Sequence, residues 1–229
     1  MELTLKKEEL KRYLGNQVNT FFPDGVRFMG NDIDIAFDIA LERLENCFKE
    51  ITFSSYSNEF GQTYFSHLHA DQYATFLYYF SNTLWNQSQN KPVCDKIMYL
   101  NRTLNNFFFS YKCKLPDHFF LGHPVGTIIG NAVYNDYLVI FQNVTINTDK
   151  DEDENPAPVL GKGLFLGAGA KIIGNKPIGD RVSIGVDTLV YNRAIDSDKV
   201  VITDCNGYVV IKDRKKEKCF AQNYFRTEI

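Results

Sequence analysis

The stretch LGKGLFLGAGAKIIGNKPIGDRVSIGVDTLV, Leu160 to Val190, repeats with a period that neither a helix nor an alternating strand has. Leu160, Leu166, Ile172, Ile178, Ile184 and Val190 recur every six residues without a slip, and glycine follows four of them, at Gly161, Gly167, Gly179 and Gly185. Six is the period of a parallel β-helix. Each unit makes one flat side of a triangular coil, its aliphatic residue points inward, and the next residue turns the corner, where glycine is least hindered.

The same spacing continues upstream. Tyr134, Ile140 and Ile146 form one set, and Leu115 and Leu121 another. Ile146 and Leu160 are fourteen residues apart, two more than two units, so a loop leaves the coil between them. The acidic, proline-bearing Asn147–Pro158 suits that loop. Downstream, Asn206-Gly207 between β-branched runs predicts a hairpin, and the basic then aromatic DRKKEKCFAQNYFRTEI predicts a tail lying on the body or on a neighbouring subunit.

Before about residue 110 the period is that of helices. Leu10, Leu14 and Val18 define a first helix that ends before Pro23. Ile33, Phe37, Ala40, Leu41, Leu44 and Phe48 define a second, capped by Asn31 or Asp32. Tyr73, Phe76, Leu77, Phe80 and Leu84 define a third, and Pro92 opens a fourth that carries Ile97, Leu100, Leu104 and Phe107 or Phe108. The expected organisation is α+β: an α-helical domain over residues 1–110, a left-handed parallel β-helix over 111–202, and a hairpin and tail over 203–229.

Bulk properties narrow the function. Of 229 residues, 44% are hydrophobic, enough to fill a core without disulfides. A net charge of -3 gives no field for nucleic acid or an anionic membrane. Five scattered cysteines without a CxxC pair read as reduced thiols of a cytoplasmic protein. The N-terminus lacks the apolar run of a signal peptide, and no run is long enough to span a membrane. His67 and His69 form an HxH without further ligands nearby in sequence, so no metal site is predicted.

Taken together, GHPVGTIIG, QNVTI, GLFLGAGAKIIGN and IGDRVSIG resemble the hexapeptide-repeat acyltransferases, and among them the serine acetyltransferase branch, from about Cys113 to Val190. The resemblance implies a trimer that takes acetyl-CoA as co-substrate, holds no permanent cofactor and has clefts between subunits. Within CKLPDHFFLGHPVGTIIG, His123 falls on the family's catalytic base. Imidazole titrates near neutrality, as a base that accepts a hydroxyl proton must. Asp117, one side back, is the acidic candidate to orient it, with Asp136 or a backbone carbonyl as alternatives. Gly167, Ala168, Lys171, Gly185 and Val186 fall on the donor-binding segment, Val186 where the family usually has alanine. Gln142, Thr145 and Asn147 are candidates for acceptor hydroxyls.

The acceptor side departs from the family. The aspartate expected fifteen residues before His123 is Phe108, the one just before it is Gly122, and the second histidine is missing from NPAP, Asn155–Pro158. The expected reaction is O-acetylation of a sugar or sugar-nucleotide hydroxyl. The alternatives are serine O-acetylation and an inactive β-helix scaffold. His118 is read as a surface histidine, and the basic run Lys212–Lys218 as a solvated tail or a contact for the coenzyme's 3′-phosphate.

Overall fold

The computed structural model describes all 229 residues. The chain forms two compact units: Met1–Lys49 with Phe53–Lys112, and Glu50–Thr52 with Cys113–Ile229.

The first unit is built on four helices, α1 (Lys7–Phe21), α2 (Asn31–Phe48), α3 (Ala70–Ser88) and α4 (Lys91–Asn105). The four-residue spacing in α1 buries Leu10, Leu14 and Val18. α3 is central. It buries Tyr73 through Leu84 without a break, and the polar members of that run are bonded internally. Ser81 Oγ donates to Leu77 O, and Asn82 Nδ2 donates to Tyr111 O at 2.8 Å. Two details differ from the sequence reading. The N-cap of α2 is Gly30, at φ +140°, and not Asn31 or Asp32. The Asp32 carboxylate is drawn instead to the α3–α4 connection, accepting from Asn90 Nδ2 at 2.8 Å and Ser88 Oγ at 3.2 Å. Leu104 is 40% exposed, and the apolar face of α4 is completed by Phe107, which lies beyond the helix end.

The second unit is a three-sided coil of parallel strands. On its first face, Phe119–Gly122, Leu138–Phe141, Phe165–Leu166, Ser183–Ile184 and Lys199–Thr203 stack in order. The second face stacks Ile128–Ile129, Thr145–Ile146, Lys171–Ile173 and Leu189–Tyr191. The third face carries Val133–Tyr134, Val159–Leu160, Ile178 and Ile195. Phe165 pairs with Ser183 and Lys171 with Leu189, eighteen residues on in each case, so three six-residue sides make one turn. The six aliphatics from Leu160 to Val190 are all buried, and Ile195 and Val201 continue the column.

The glycines after these aliphatics serve close stacking. A Cβ at Gly161 would lie 2.4 Å from the Gly179 carbonyl carbon, and one at Gly179 would lie 2.4 Å from Ser197 N. Left-handed corner conformations fall instead on His123, Tyr137, Asn143, Arg181, Asp187 and Asp198. The inserted loop is longer than the two-residue slip implied. Ile146 and Leu160 lie on consecutive faces, where six residues would suffice, so eight are inserted. They form a small antiparallel hairpin, Asp149–Lys150 against Pro156–Ala157. Asp151 Oδ1 closes it by accepting from the Asp153 and Asn155 amides at 2.9 Å each.

The predicted terminal hairpin is also present. Its first strand, Lys199–Thr203, is the last rung of the coil and pairs antiparallel with Val209–Asp213. The tail then returns over the first face. Tyr224 lies 5.1–5.8 Å from Phe120, Phe141 and Phe165, and Phe220 lies 5.4 Å from Phe165, ring centroid to ring centroid. Ile51 pairs with Phe225, and both are buried.

Candidate active site

The corners that join the first face to the second stack into one edge. His123 follows Phe119–Gly122, Gln142 follows Leu138–Phe141, Gly167-Ala168 follows Phe165–Leu166, and Gly185-Val186 follows Ser183–Ile184. Backbone bonds join successive corners. The Asn143 amide donates to Val125 O at 2.9 Å, Gly169 to Gln142 O at 2.9 Å, and Asp187 to Ala168 O at 2.8 Å. At one strand spacing per coil, His123 stands three rungs, about 14 Å, from Val186. His123 is exposed, adopts φ +49°, and its carbonyl accepts from the Val125 amide at 2.7 Å.

Beside this edge, on the first face, opens a cavity of about 390 Å³. Gln142, Gly167, Ala168, Gly185 and Val186 line it, with Phe141, Phe165, Val200, Ile202 and Phe220 as apolar walls. Four of the five predicted donor residues therefore share one cavity. Val186, where alanine is usual in the family, lines the cavity and is 64% exposed. Lys171 lies outside the lining. It sits on the second face, and its ammonium donates to Gly169 O at 2.8 Å.

Two polar atoms in the lining, Gln142 Oε1 and Ser183 Oγ, are buried without a hydrogen-bond partner. Leaving such a group unsatisfied costs about 1–3 kcal/mol, so the cavity is suited to an occupant that carries hydrogen-bonding groups along an otherwise apolar chain. Ser183 is a residue the sequence reading missed. Its signal was available once the coil phase was known. The residue before each inward aliphatic of the first face is Phe120, Val139, Phe165, Ser183 or Val200, an apolar row broken by one serine.

The remaining candidates fall elsewhere. Gln142 lines the donor cavity, whereas Thr145 and Asn147 belong to the second face and beyond, and neither reaches it. Asn147 is engaged inside the coil, its Oδ1 accepting from the Gly174 amide at 3.0 Å. Asp117 and His123 flank opposite ends of the strand Phe119–Gly122, which separates them by about 13 Å within one chain. That distance is too long for Asp117 to orient the imidazole of its own chain.

His118 stands at the opposite edge of the first face. Its amide and Nδ1 meet the two oxygens of Asp136 at 2.9 and 3.1 Å, and its ring stacks on Tyr137 with centroids 5.3 Å apart. Asp136 is thereby occupied at that edge. Further along the same edge, Asp198 binds Arg181 in bidentate fashion at 2.8 Å and Arg214 at 2.6 Å, which holds its carboxyl well below the usual carboxylate range.

No family model matches the chain. In sequence it is similar to the serine acetyltransferase of Synechococcus elongatus, 32% identical over 120 residues that cover 52% of this chain and 49% of that protein. It is also similar to that of Staphylococcus aureus, 25% identical over 146 residues covering 63% and 67%. The chain spans about half the length, or less, of the first three curated relatives it matches. Among solved structures, the serine acetyltransferase of Vibrio cholerae superposes with a TM-score of 0.69 at 22% identity, covering 94% of this chain and 82% of that one. A serine acetyltransferase in complex with cysteine gives 0.67 at 18% identity, covering 95% and 84%. The fold is therefore that of an N-terminal helical domain followed by a left-handed parallel β-helix, as in these solved serine acetyltransferases. In sequence and in fold the chain resembles serine acetyltransferases.

Proposed function

We propose that the protein is an acetyl-CoA-dependent O-acetyltransferase that uses His123 as its base. The observation that carries this reading is the common edge: an exposed histidine on the first corner, and three rungs along it a cavity with apolar walls and two unpartnered polar atoms. In the proposed reaction, imidazole takes the proton of an acceptor hydroxyl as the oxygen attacks the thioester carbonyl. Corner amides stabilise the oxyanion. The carbon–sulfur bond then breaks, and the thiolate receives the proton from imidazolium. Three chains form a homotrimer with a site in each cleft, and sedimentation velocity checks that assembly.

For the acceptor we favour a sugar or sugar-nucleotide hydroxyl. The three positions that handle serine in the family hold Phe108, Gly122 and the histidine-free stretch Asn155–Pro158. Packing supports the argument at Gly122, where a Cβ would lie 2.7 Å from the Phe141 ring, so that an aspartate there would have to displace the ring. Serine is the second reading, favoured by the names of the relatives. A panel of L-serine, sugars and sugar nucleotides, read by free thiol released from acetyl-CoA, separates them. Turnover confined to sugar-class acceptors supports the first reading, and turnover with serine replaces it with the second.

A further inference from the structure

The residue after each inward aliphatic of the first face is Gly122, Phe141, Gly167, Gly185 or Ile202. Phe141 is the one ring in that row, with glycine on the rung to either side. Its ring leans toward the His123 end. A Cβ at Gly122 would meet Phe141 ring carbons at 2.7 and 2.9 Å and a Phe120 ring carbon at 3.1 Å, whereas the atoms nearest to a Cβ at Gly167 belong to the Ser183–Val186 rung. Phe141 and Phe120 thus fill the place of a side chain at 122, the residue immediately before the proposed base. Consecutive Cα atoms are about 3.8 Å apart, so the rings stand beside His123.

The tail adds a third ring. Tyr224 lies 5.1 Å from Phe120 and 5.8 Å from Phe141, ring centroid to ring centroid, and is half-buried. Its backbone is held in place. Tyr224 O accepts from the Thr52 amide at 3.1 Å, and Asn223 O accepts from Thr52 Oγ1 at 2.8 Å. No lysine, arginine, aspartate or glutamate occurs in residues 119–127, 138–144 or 219–225, which carry the base and the three rings. The surface beside His123 is therefore aromatic, fixed in advance and without a counter-ion of its own.

Such a surface discriminates between acceptors. A carboxylate, ammonium or diphosphate set against it gives up water and gains no ionic partner. A pyranose loses little, because its C–H face is apolar and meets the negative face of an aromatic ring. Its hydroxyls stay at the rim, where one faces the base. We infer that Phe141 and Tyr224 form the platform on which the acceptor stacks, and that the acceptor is a neutral pyranoside, neither an amino acid nor a sugar nucleotide. The tail is then a wall of the acceptor site. This inference deepens the acetyl-transfer reading and rests on it for the fate of the stacked sugar, but the platform is testable without turnover.

The test uses the full-length protein and three variants: Tyr224→Ala, Tyr224→Leu, which keeps apolar packing without a ring, and Tyr224→Phe, which keeps the ring. Saturation-transfer NMR with methyl hexopyranosides, in the absence of acetyl-CoA, should show contact through the sugar C–H protons in the parent chain. Tyr224→Ala and Tyr224→Leu should lose that contact, and Tyr224→Phe should rescue it. In turnover, KM for the glycoside should rise about tenfold in the two ringless variants, with the effect on KM and not on kcat. Glycoside contact that is absent from the parent, or undiminished in Tyr224→Leu, overturns the inference. A lower KM for L-serine, an amino sugar or a UDP-hexose than for every neutral glycoside also overturns it, and leaves acetyl transfer in place. Glycoside contact that depends on the Tyr224 ring, with no thiol released from acetyl-CoA by any of the proteins, supports the platform and removes the acetyl-transfer reading.

Discussion

The two edges that bound the first face of the coil have the same backbone and opposite chemistry. Both place non-glycine residues in the left-handed region, His123, Asn143 and Asp187 on one edge and Tyr137, Arg181 and Asp198 on the other. On the Asp136 edge the charged groups are paired, His118 with Asp136, Arg181 and Arg214 with Asp198, and the Lys162 ammonium over the Tyr137 ring at 5.2 Å, although Arg214 Nε is buried without a partner. Among the glycines that follow inward aliphatics at these two edges, packing is tightest there too, at Gly161 and Gly179. On the His123 edge the corresponding glycines are looser, a cavity opens, and Gln142 and Ser183 keep atoms without partners. Corner strain therefore does not distinguish a site from a seam. Two unpartnered polar side chains, Gln142 and Ser183, facing one cavity beside an exposed histidine do.

The largest effect that sharpens this contrast is kinetic. His123→Ala should lower the rate of acetyl transfer by about 10²–10⁴-fold and leave the melting temperature within about 1 °C, whereas His118→Ala should lower stability and leave kcat within about twofold. Next comes packing. Gly179→Ala should cost about 1–3 kcal/mol by denaturant titration, because its new methyl meets backbone at 2.4 Å. Gly185→Ala should cost less, since it meets the Ile202 side chain at 3.0 Å. Equal costs would break the distinction between the edges.

Asp198→Asn should cost about 1 kcal/mol, a figure already discounted for the carboxylate's partial exposure. The sign with pH follows from the lowered folded-state value. The contribution is complete above the unfolded carboxylate pKa of about 4 and is lost as pH falls below it toward the lower folded-state value, so wild type and variant should converge in acid. The smallest effect is expected at Ser183→Ala. Removing a hydroxyl without a partner should leave stability unchanged or slightly raised, while affinity for coenzyme A falls a few-fold by calorimetry.

Much of this was legible in the sequence because the coil is a one-dimensional repeat. Its inward column from Leu160 to Val190 fixes which residues are buried, and the phase then places His123, Gln142, Ala168 and Val186 on one edge. What was not legible depends on contacts distant in sequence. Asp117 is near His123 along the chain, but an extended strand holds the two apart. The length of the insertion is hidden because a slip of two residues and an insertion of eight leave the same six-residue phase. Asp32 looked like a cap because the pull of Ser88 and Asn90 lies more than fifty residues away. The tail's place on Phe120, Phe141 and Phe165, and with it the third ring beside His123, follows from aromatic packing that no local period encodes.

The central claim is that the His123 edge performs acetyl transfer. The most direct test is the release of free thiol from acetyl-CoA by wild type and His123→Ala in the presence of the acceptor panel, with coenzyme A affinity measured on both proteins. The account predicts turnover by wild type, its loss in the variant, and equal affinity for coenzyme A. Undiminished turnover in the variant, or a wild type that neither releases thiol nor binds coenzyme A, would contradict it, and the second result would leave a β-helix scaffold as the better description.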